Sequence, residues 1–185
     1  MNKLKPWTVT GHKKLLTTHV FDVVDVHCLS PKDGLEKTFV TLRCPEWVNV
    51  IPITEKGEVI LVNQFRHGTG EFSLELPGGV SEPGQSTLET ARRELMEETG
   101  YSSHDITLLC SIRPNPALFG NFVHTYLAKN VTKTGQTDFD ENEDIDQILV
   151  PLEKLKSLVL DGAITHALMV AGLGYFFLTL DKSAK

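Results

Sequence analysis

The chain has 185 residues, of which 24 are acidic and 18 are basic, so its formal net charge is −6. This length is enough for one domain with a hydrophobic core, and a hydrophobic fraction of 41% excludes extensive disorder. A net acidic chain lacks the basic surface with which proteins bind nucleic acid or anionic membranes, so we expect neither partner.

Cysteine content and hydropathy indicate the cellular compartment in which the protein is expected. Cys28, Cys44 and Cys110 are too few and too scattered for a disulfide framework or a zinc site. The N-terminus has no apolar core of a signal peptide, and the longest apolar stretch, 167–180, is shorter than the roughly 20 residues of a membrane span. We therefore expect a cytoplasmic protein with reduced thiols.

Strands are predicted through the first third of the chain. Segments 20–29 and 38–44 are rich in Val, Thr and Phe and flank a Pro-Lys-Asp-Gly turn, which predicts two strands. A second pair of β-branched segments, 47–53 and 59–65, flanks a polar loop that contains a glycine, which predicts a hairpin.

A helix is predicted from Thr87 to Thr99, after a short strand at 73–76. Ser86 and Glu89 have the spacing of a capping box at the start of this helix. Apolar residues then recur every three or four positions, and Gly100 supplies the C-terminal stop. The helix fixes the angular position of every charged residue within it.

The remainder of the chain alternates strands with helices. The patterns predict three more strands and two helices, with an acidic loop before the last strand: strands 106–113, 121–128 and 145–150, loop 138–144, and helices 151–160 and 165–178. Strands interleaved with and followed by helices indicate a mixed α/β (α+β) fold with helices packed on a sheet.

Three glutamates cluster on the predicted helix. A step of about 100° per residue places Glu94 and Glu98 one turn apart on the same face, with Glu97 beside them. Like charges at this spacing disfavour a bare helix slightly, whereas clustered carboxylate oxygens suit a hard divalent cation such as Mg²⁺. Taken alone, such a cluster is also typical of a solvated helix face.

The surrounding sequence resembles the Nudix box. Residues 79–101, GVSEPGQSTLETARRELMEETGY, contain a glycine, five residues, a position that is usually acidic, seven residues, and then Arg-Glu-Leu-x-Glu-Glu-x-Gly with an aromatic residue after it. One position departs from the pattern, because Gln85 stands where the family usually has glutamate. The resemblance treats that position as support for the helix and its arginine rather than as a main metal ligand.

The Nudix resemblance implies a fold and a domain arrangement. The expected fold is the α/β/α Nudix sandwich with a mixed β-sheet, formed by residues 45–185, plus an N-terminal antiparallel β segment. That segment, residues 1–44, resembles the one that builds the homodimer in related enzymes.

The resemblance also assigns roles within the box. It makes Glu94 and Glu98 the principal Mg²⁺ ligands and Glu97 an accessory ligand, with Mn²⁺ as the alternative ion. The backbone at Gly78 would complete the metal shell, since a residue without Cβ permits close approach. Arg93 would orient the glutamates in the catalytic site.

The flanking segments resemble those of ADP-ribose pyrophosphatases and nucleoside-diphosphate-sugar hydrolases. In that subgroup the arginine corresponding to Arg66 contacts the substrate diphosphate, and the segment with Glu75 belongs to the same binding region. Pro116 lies fifteen residues beyond the box, as in the subgroup, and Phe119 is a candidate for stacking on the base or sugar. Unless Arg66 meets the substrate, it is expected to pair with Glu71 or Glu75.

The acidic loop resembles the catalytic loop of the same subgroup. By that match Glu141 is the candidate general base, and Glu143 is a third-metal ligand or the alternative base. The acidic loop of an unrelated protein would simply be solvated.

The resemblance implies Mg²⁺-dependent hydrolysis of the diphosphate in ADP-ribose or a related nucleoside diphosphate sugar to a nucleoside monophosphate and a sugar phosphate. Two alternatives stay open: a noncatalytic Nudix-like module that senses such nucleotides, and a hydrolase of dinucleoside polyphosphates or capped RNA. The intact glutamates disfavour the first, and the flanking segments and missing basic strip disfavour the second.

Overall fold

The structure, a computed structural model, describes residues 4–139 and 144–183. These residues form two compact units. The first comprises the residues up to Pro45 together with Arg113–Asn121, and the second comprises Glu46–Ile112 together with the residues from Phe122 onward.

The first unit contains a three-stranded antiparallel sheet of β1 (Thr8–Thr17), β2 (Asp22–Leu29) and β3 (Glu36–Arg43), with β2 in the middle. The sequence predicted β2 and β3 but missed β1. Strand β1 is almost wholly exposed, so its sequence lacks the alternation of apolar and polar residues by which a strand is predicted. Its register with β2 also shifts twice.

Residues 113–121 fold against β3 within the first unit. The Leu42 N–H donates to the carbonyl oxygen of Leu118 at 2.8 Å, and Leu42 also forms an isolated bridge with Phe119. The Arg113 guanidinium donates to the carbonyl oxygen of Gly120 at 2.6 Å, which closes the segment on itself. Nothing in the sequence indicated that this stretch joins the N-terminal strands.

The second unit is built on an eight-stranded mixed sheet. Its central order is β11-β5-β4-β10-β8, in which β10 runs parallel to β4 and the other pairs are antiparallel. The strands are β4 (Trp47–Thr54), β5 (Glu58–Arg66), β6 (Glu71–Glu75), β7 (Gly78–Val80), β8 (Tyr101–Ser102), β9 (Asp105–Ile112), β10 (Val123–Lys133) and β11 (Ile145–Pro151). The six longer strands were predicted, five of them within a few residues, whereas β10 extends five residues beyond its predicted end, and the two- and three-residue strands β8 and β7 were not predicted.

Three helices accompany this sheet: α1 (Thr87–Thr99), α2 (Leu152–Leu160) and α3 (Ala167–Ser183). Helix α1 has the predicted bounds. The Ser86 side chain accepts from the Glu89 N–H and the Glu89 carboxylate accepts from the Ser86 N–H, which is a complete capping box, and Gly100 ends the helix at φ 72°. Helix α3 begins two residues later and ends five residues later than predicted.

The helices cover opposite faces of the sheet. On one face Val50 and Ile60 pack against Leu95 of α1. On the other face Ile51 packs in a cluster with Phe176 of α3, and the same cluster includes a leucine of α2. Adjacent strand residues point to opposite sides, so the second unit is a three-layer α/β/α sandwich, and the predicted fold class is confirmed.

Within residues 4–139 and 144–183, no helix is long and apolar enough to cross a membrane.

Candidate active site

The carboxylate cluster of α1 is gathered around one guanidinium. Arg93 Nη2 donates to Glu94 Oε1 at 2.8 Å, and Arg93 Nη1 donates to Glu97 Oε2 at 2.6 Å. Glu94 is 7% exposed and Glu98 is 2% exposed, so two of the three glutamates are nearly removed from solvent. Arg93 also donates to the carbonyl oxygen of Val80 at 3.2 Å, which links the helix to β7.

The charge of Arg93 is secured by its partners. Partial burial lowers the pKa of this guanidinium, but the ion pairs with Glu94 and Glu97 outweigh that effect, so its pKa lies above the ordinary value. Arg93 therefore stays protonated and donates to both carboxylates.

Two glycines let β7 lie against the glutamates. The Gly78 N–H donates to Glu98 Oε2 at 2.9 Å. A Cβ on Gly78 would collide with the backbone of Val48, and a Cβ on Gly79 would collide with the Glu94 carboxylate. At position 78 only glycine permits this approach, because the collision is with backbone, whereas a Cβ at position 79 would displace the Glu94 carboxylate from its present place.

The side chains of this cluster suit a hard divalent cation, both in the type of donor atom and in their net charge. Arg93, Glu94, Glu97 and Glu98 carry formal charges of +1 − 3 = −2, and the glutamates offer carboxylate oxygens. In the described part of the chain, however, no three acidic, histidine or cysteine side chains already converge as ligands of one ion. Arg93 and Gly78 hold the carboxylates instead, so a bound cation would have to compete with these hydrogen bonds.

Gln85 faces the start of the helix. Its Oε1 lies 2.9 Å from the Thr90 hydroxyl, which in turn lies 3.1 Å from Ser81 Oγ. Meanwhile the buried Nε of Arg93 has no hydrogen-bond partner among the described residues. The usual glutamate at position 85 is expected to support Arg93. In this chain that glutamate is replaced by Gln85, and no described residue accepts from Arg93 Nε.

Arg66 forms a two-pronged ion pair with a fully buried carboxylate. Its Nε donates to Glu75 Oε1 at 2.8 Å and its Nη2 donates to Glu75 Oε2 at 2.6 Å. Glu75 is 0% exposed, and burial raises its pKa, but hydrogen bonds and charge from Arg66 outweigh burial and leave the pKa below the ordinary value. Of the two partners considered from sequence, Glu75 is the one that Arg66 contacts, while 42% of the Arg66 side chain stays exposed.

The Arg66–Glu75 pair lies on the sheet face that α1 covers. Side chains alternate along β5, so Arg66 shares a face with Ile60, which packs in the α1 cluster. Glu75 pairs with Val62 across β5 and β6 and therefore points to the same side. The arginine and the glutamate cluster are thus on one side of the sheet.

The other predicted site residues lie elsewhere. Pro116 and Phe119 belong to the first unit, where they line a cavity of about 240 Å³ together with His12, Val26, Thr41, Leu42, Arg43, Leu118 and Gly120. Glu141 and Glu143 lie outside the described residues.

The sequence did not predict the hydrogen bonds that the carbonyl oxygens at the C-terminal end of α1 accept from distant residues. The Glu97 carbonyl oxygen accepts from the Asp138 N–H at 2.9 Å, and the Glu98 carbonyl oxygen accepts from Gln147 Nε2 at 3.1 Å. No motif marks Gln147, because a glutamine inside a predicted strand has no pattern of its own.

Known proteins resemble this chain in sequence. A family model described as the NUDIX domain matches residues 46–173. The methanol dehydrogenase activator of Bacillus methanolicus is 31% identical over 145 residues, which cover 78% of this chain and 77% of that protein. The ADP-ribose pyrophosphatase of Bacillus subtilis strain 168 is 33% identical over 119 residues, which cover 64% of each chain.

The similarity extends to the whole fold. The ADP compounds hydrolase NudE of Escherichia coli strain K12 is 27% identical over 168 residues, which cover 90% of this chain and 89% of that protein. The crystal structure of an ADP compounds hydrolase matches with a TM-score of 0.86 at 25% identity, and the match covers 99% of this chain and 98% of the other.

Replacing Arg66 by methionine should destabilise the protein in a pH-dependent manner. Without the guanidinium, the buried Glu75 carboxylate loses the partner that lowers its pKa, so its pKa should rise. We expect a loss of about 2 kcal/mol near pH 7, less than the 3–5 kcal/mol typical of fully buried pairs because Arg66 is partly exposed. The loss should shrink toward about pH 4, where Glu75 is protonated in the variant and the wild-type pair weakens.

Urea unfolding of the wild type and Arg66→Met at several pH values measures this effect. The double variant Arg66→Met/Glu75→Leu is the control, since it has no buried carboxylate at this site; it should be more stable than Arg66→Met near pH 7, and this advantage should shrink toward about pH 4. A difference that does not change with pH would contradict the assignment of Glu75 as the responsible group.

Replacing Gln85 by glutamate should raise the free energy of unfolding by about 1 kcal/mol. The Nudix resemblance implies that the residue at this position supports Arg93, and glutamate has a second acceptor oxygen where glutamine has a donor, while Arg93 Nε has no partner among the described residues. Thermal unfolding measures the change. Gln85→Leu, which has no acceptor, is the control and should not stabilise the protein. Equal stability of the glutamate variant and the wild type would show that the departure is compensated locally.

Proposed function

The chain belongs to the NUDIX domain family, and we propose that it is a pyrophosphohydrolase that uses a divalent cation to cleave the diphosphate of ADP-ribose or a related nucleoside diphosphate sugar. The products are a nucleoside monophosphate and a sugar phosphate, which for ADP-ribose are AMP and ribose 5-phosphate. The names of the two hydrolytic relatives share an ADP group, which supports a substrate in which ADP is linked to a further group.

The observation that carries this proposal is the arrangement at the end of α1. Glu94 and Glu97 contact Arg93, Glu98 accepts from the Gly78 N–H, and β7 approaches these glutamates closely through Gly78 and Gly79. A solvated helix face requires neither the burial of Glu94 and Glu98 nor the close approach of a strand. The arrangement therefore supports a functional rather than an incidental cluster.

We assign the cation to Glu94, Glu98 and Glu97, with the backbone of Gly78 beside them. Mg²⁺ is the proposed ion because every donor is a hard oxygen, and Mn²⁺ is the alternative. When bound, the ion neutralises charge on the diphosphate and lowers the pKa of an attacking water. Arg93 keeps Glu94 and Glu97 oriented, and its raised pKa means that it does so without titrating.

Arg66 is the proposed diphosphate ligand. Glu75 holds two of its nitrogens and fixes the plane of the guanidinium, while the exposed part of the side chain lies on the α1 side of the sheet. A planar guanidinium fixed in this way donates to phosphate oxygens with little loss of side-chain entropy. Glu75 therefore serves substrate binding through Arg66.

Two residues of the acidic loop are the candidates for proton abstraction. We propose that Glu141 takes the proton of the attacking water and that Glu143 is a further metal ligand or the alternative base. Pro116 and Phe119 are proposed to contact the base or sugar, as the Nudix resemblance implies.

We further propose a cytoplasmic homodimer that binds neither nucleic acid nor membrane. The N-terminal β segment, residues 1–44, exposes apolar side chains that are typical of an interface between subunits, among them Val9, Leu16 and Val40. All three cysteines are free, as expected in a reducing compartment.

Activation of another enzyme is the second candidate function. It is favoured by the 31% identity to a protein named a methanol dehydrogenase activator. A purely noncatalytic module would have no need of the buried glutamates around Arg93, so we rank hydrolysis first. Hydrolysis of dinucleoside polyphosphates or capped RNA remains the third candidate.

A product-release assay with Mg²⁺ tests the proposal. ADP-ribose, several nucleotide sugars and a dinucleoside polyphosphate are compared, and we expect ADP-ribose or a nucleotide sugar to be cleaved with the highest kcat/KM. Glu98→Gln should lower kcat by at least about 100-fold, because the amide still accepts from the Gly78 N–H but has no charge for the cation.

The matched control is Glu89→Gln on the same helix, which keeps the capping box because glutamine also accepts from the Ser86 N–H. It should retain wild-type turnover. Near-normal kcat in Glu98→Gln would refute the metal assignment, and absence of turnover in the wild type would refute hydrolysis.

Comparison of Glu141→Gln with Glu143→Gln identifies the base. Glu141→Gln should reduce kcat far more than it raises KM, and it should remove the acidic limb of the pH–rate profile, because proton abstraction requires an ionised carboxylate. If Glu143→Gln shows this behaviour instead, the base is two residues further along the chain.

A further inference from the structure

The short connection between β6 and β7 is bonded to helices on both faces of the sheet. We call its residues, 76–78, the β6–β7 corner. The Leu76 N–H donates to Met169 Sδ of α3 at 3.4 Å, and the Gly78 N–H donates to Glu98 Oε2 of α1 at 2.9 Å. One side of the corner is therefore bonded to a glutamate of the candidate active site, and the other side to a helix that contributes no residue to that site.

The corner moves as a unit because its middle residue is held on both sides. The ring of Pro77 fixes one backbone angle between the two donors, and proline has no N–H of its own. The Pro77 carbonyl oxygen accepts from the Val50 N–H of β4 at 2.8 Å. The backbone of Gly78 also lies so close to β4 that a Cβ there would collide with the Val48 carbonyl oxygen. A displacement at Leu76 is therefore transmitted to Gly78.

The Leu76 N–H needs an acceptor from outside the sheet. The pairing of β6 with β5 ends at Glu75 and Val62, one residue before Leu76. Leu76 is only 1% exposed, and a buried N–H that is left without an acceptor destabilises a protein. A thioether sulfur is a weak acceptor, but at this position it meets the need.

The sulfur is the feature that distinguishes methionine from leucine at position 169. Met169 is buried in the same apolar cluster as Leu76, and leucine would fill this space about equally well. Met169 lies in the first turn of α3, where His166 Nδ1 accepts from the Leu168 N–H at 3.2 Å and so satisfies one of the free donors of the helix start. The role of the sulfur as an acceptor can thus be separated from the role of the side chain in packing.

We propose that Met169 is a positioning residue for Glu98. Its sulfur holds the Leu76 N–H, and the corner then presents the Gly78 N–H to the Glu98 carboxylate. Without the sulfur, the Leu76 N–H turns toward another acceptor, and the corner carries Gly78 away from Glu98. The effect on catalysis rests on the proposed function, in which Glu98 binds the divalent cation.

The first test is amide hydrogen exchange, followed by NMR in the metal-free protein. In Met169→Leu the Leu76 and Gly78 amides should exchange about 10-fold faster than in the wild type, relative to the amide of the buried residue Leu61 in β5. Met169→Gln replaces the sulfur by an amide whose oxygen accepts, so it should restore slow exchange at both positions. It also buries an amide in an apolar cluster, so it should lower the melting temperature more than Met169→Leu does.

This opposite order of stability and amide protection separates positioning from packing. If Met169 only filled the apolar cluster, amide exchange would follow the melting temperature, and Met169→Leu would be the less affected variant. Leu173→Val is the matched control, because Leu173 is fully buried in the same cluster and on the same helix. It should lower the melting temperature and leave the relative exchange of Leu76 and Gly78 unchanged.

The second test is the binding of Mn²⁺ alone, measured by the electron paramagnetic resonance signal of the free ion. Met169→Leu should bind Mn²⁺ at least about threefold more weakly, which is less than the roughly 10–100-fold typical of a direct outer-shell partner because Met169 acts through the corner. Met169→Gln and Leu173→Val should bind Mn²⁺ as the wild type does. With Mg²⁺ and ADP-ribose, kcat of Met169→Leu should fall by a factor similar to its loss of Mn²⁺ affinity.

Three results would each overturn the proposal: unchanged Gly78 exchange in Met169→Leu, unchanged Mn²⁺ affinity in Met169→Leu, or equal behaviour of Met169→Leu and Met169→Gln in both tests. If the wild type binds Mn²⁺ but hydrolyses no substrate, the proposed function fails, and exchange and Mn²⁺ affinity decide the role of Met169. If the wild type binds no Mn²⁺, the metal assignment fails, and Gly78 exchange alone decides whether Met169 positions the corner.

Discussion

Crowding of negative charge at one helix end is the constraint on which the rest of the second unit depends. Glu94, Glu97 and Glu98 occupy little more than one turn, two of them are almost fully buried, and the helix dipole disfavours acidic side chains at this end. A single guanidinium, that of Arg93, contacts two of them. Such a cluster is stable only if neighbouring groups supply hydrogen bonds, or if a cation completes the charge.

The neighbouring elements supply those hydrogen bonds. Strand β7 brings the Gly78 N–H to Glu98, and its glycines allow an approach that a side chain would block. Carbonyl oxygens of the last turn accept from Asp138 and Gln147. A second charged pair, Arg66 with Glu75, is built on the same sheet face, and there the arginine keeps the pKa of the buried carboxylate below its ordinary value. The site is thus a set of carboxylates held by Arg93 of the same helix, by the backbone of β7 and by Arg66 of β5.

Local patterns explain why so much of the fold could be predicted. Helix α1 was predicted to the residue because Ser86, Glu89 and Gly100 act on their immediate neighbours in sequence, and the capping box and left-handed glycine are both present. Strand β1 was missed because a strand exposed on both faces leaves no alternation in the sequence. The attachment of residues 113–121 to β3 rests on pairing between segments some 70 residues apart, which no local pattern records.

The sequence by itself determined the family, the helix and the identity of the clustered glutamates, because the Nudix box is a contiguous pattern whose spacing is set by one helix. Only the tertiary structure decided which groups hold those glutamates. The choice of Glu75 over Glu71 as the partner of Arg66, the bond from Gln147 to Glu98, and the lack of a partner for Arg93 Nε among the described residues all depend on which strands and loops meet at the helix. These contacts join residues remote in sequence, so hydrogen-bond geometry and burial, rather than spacing, select them.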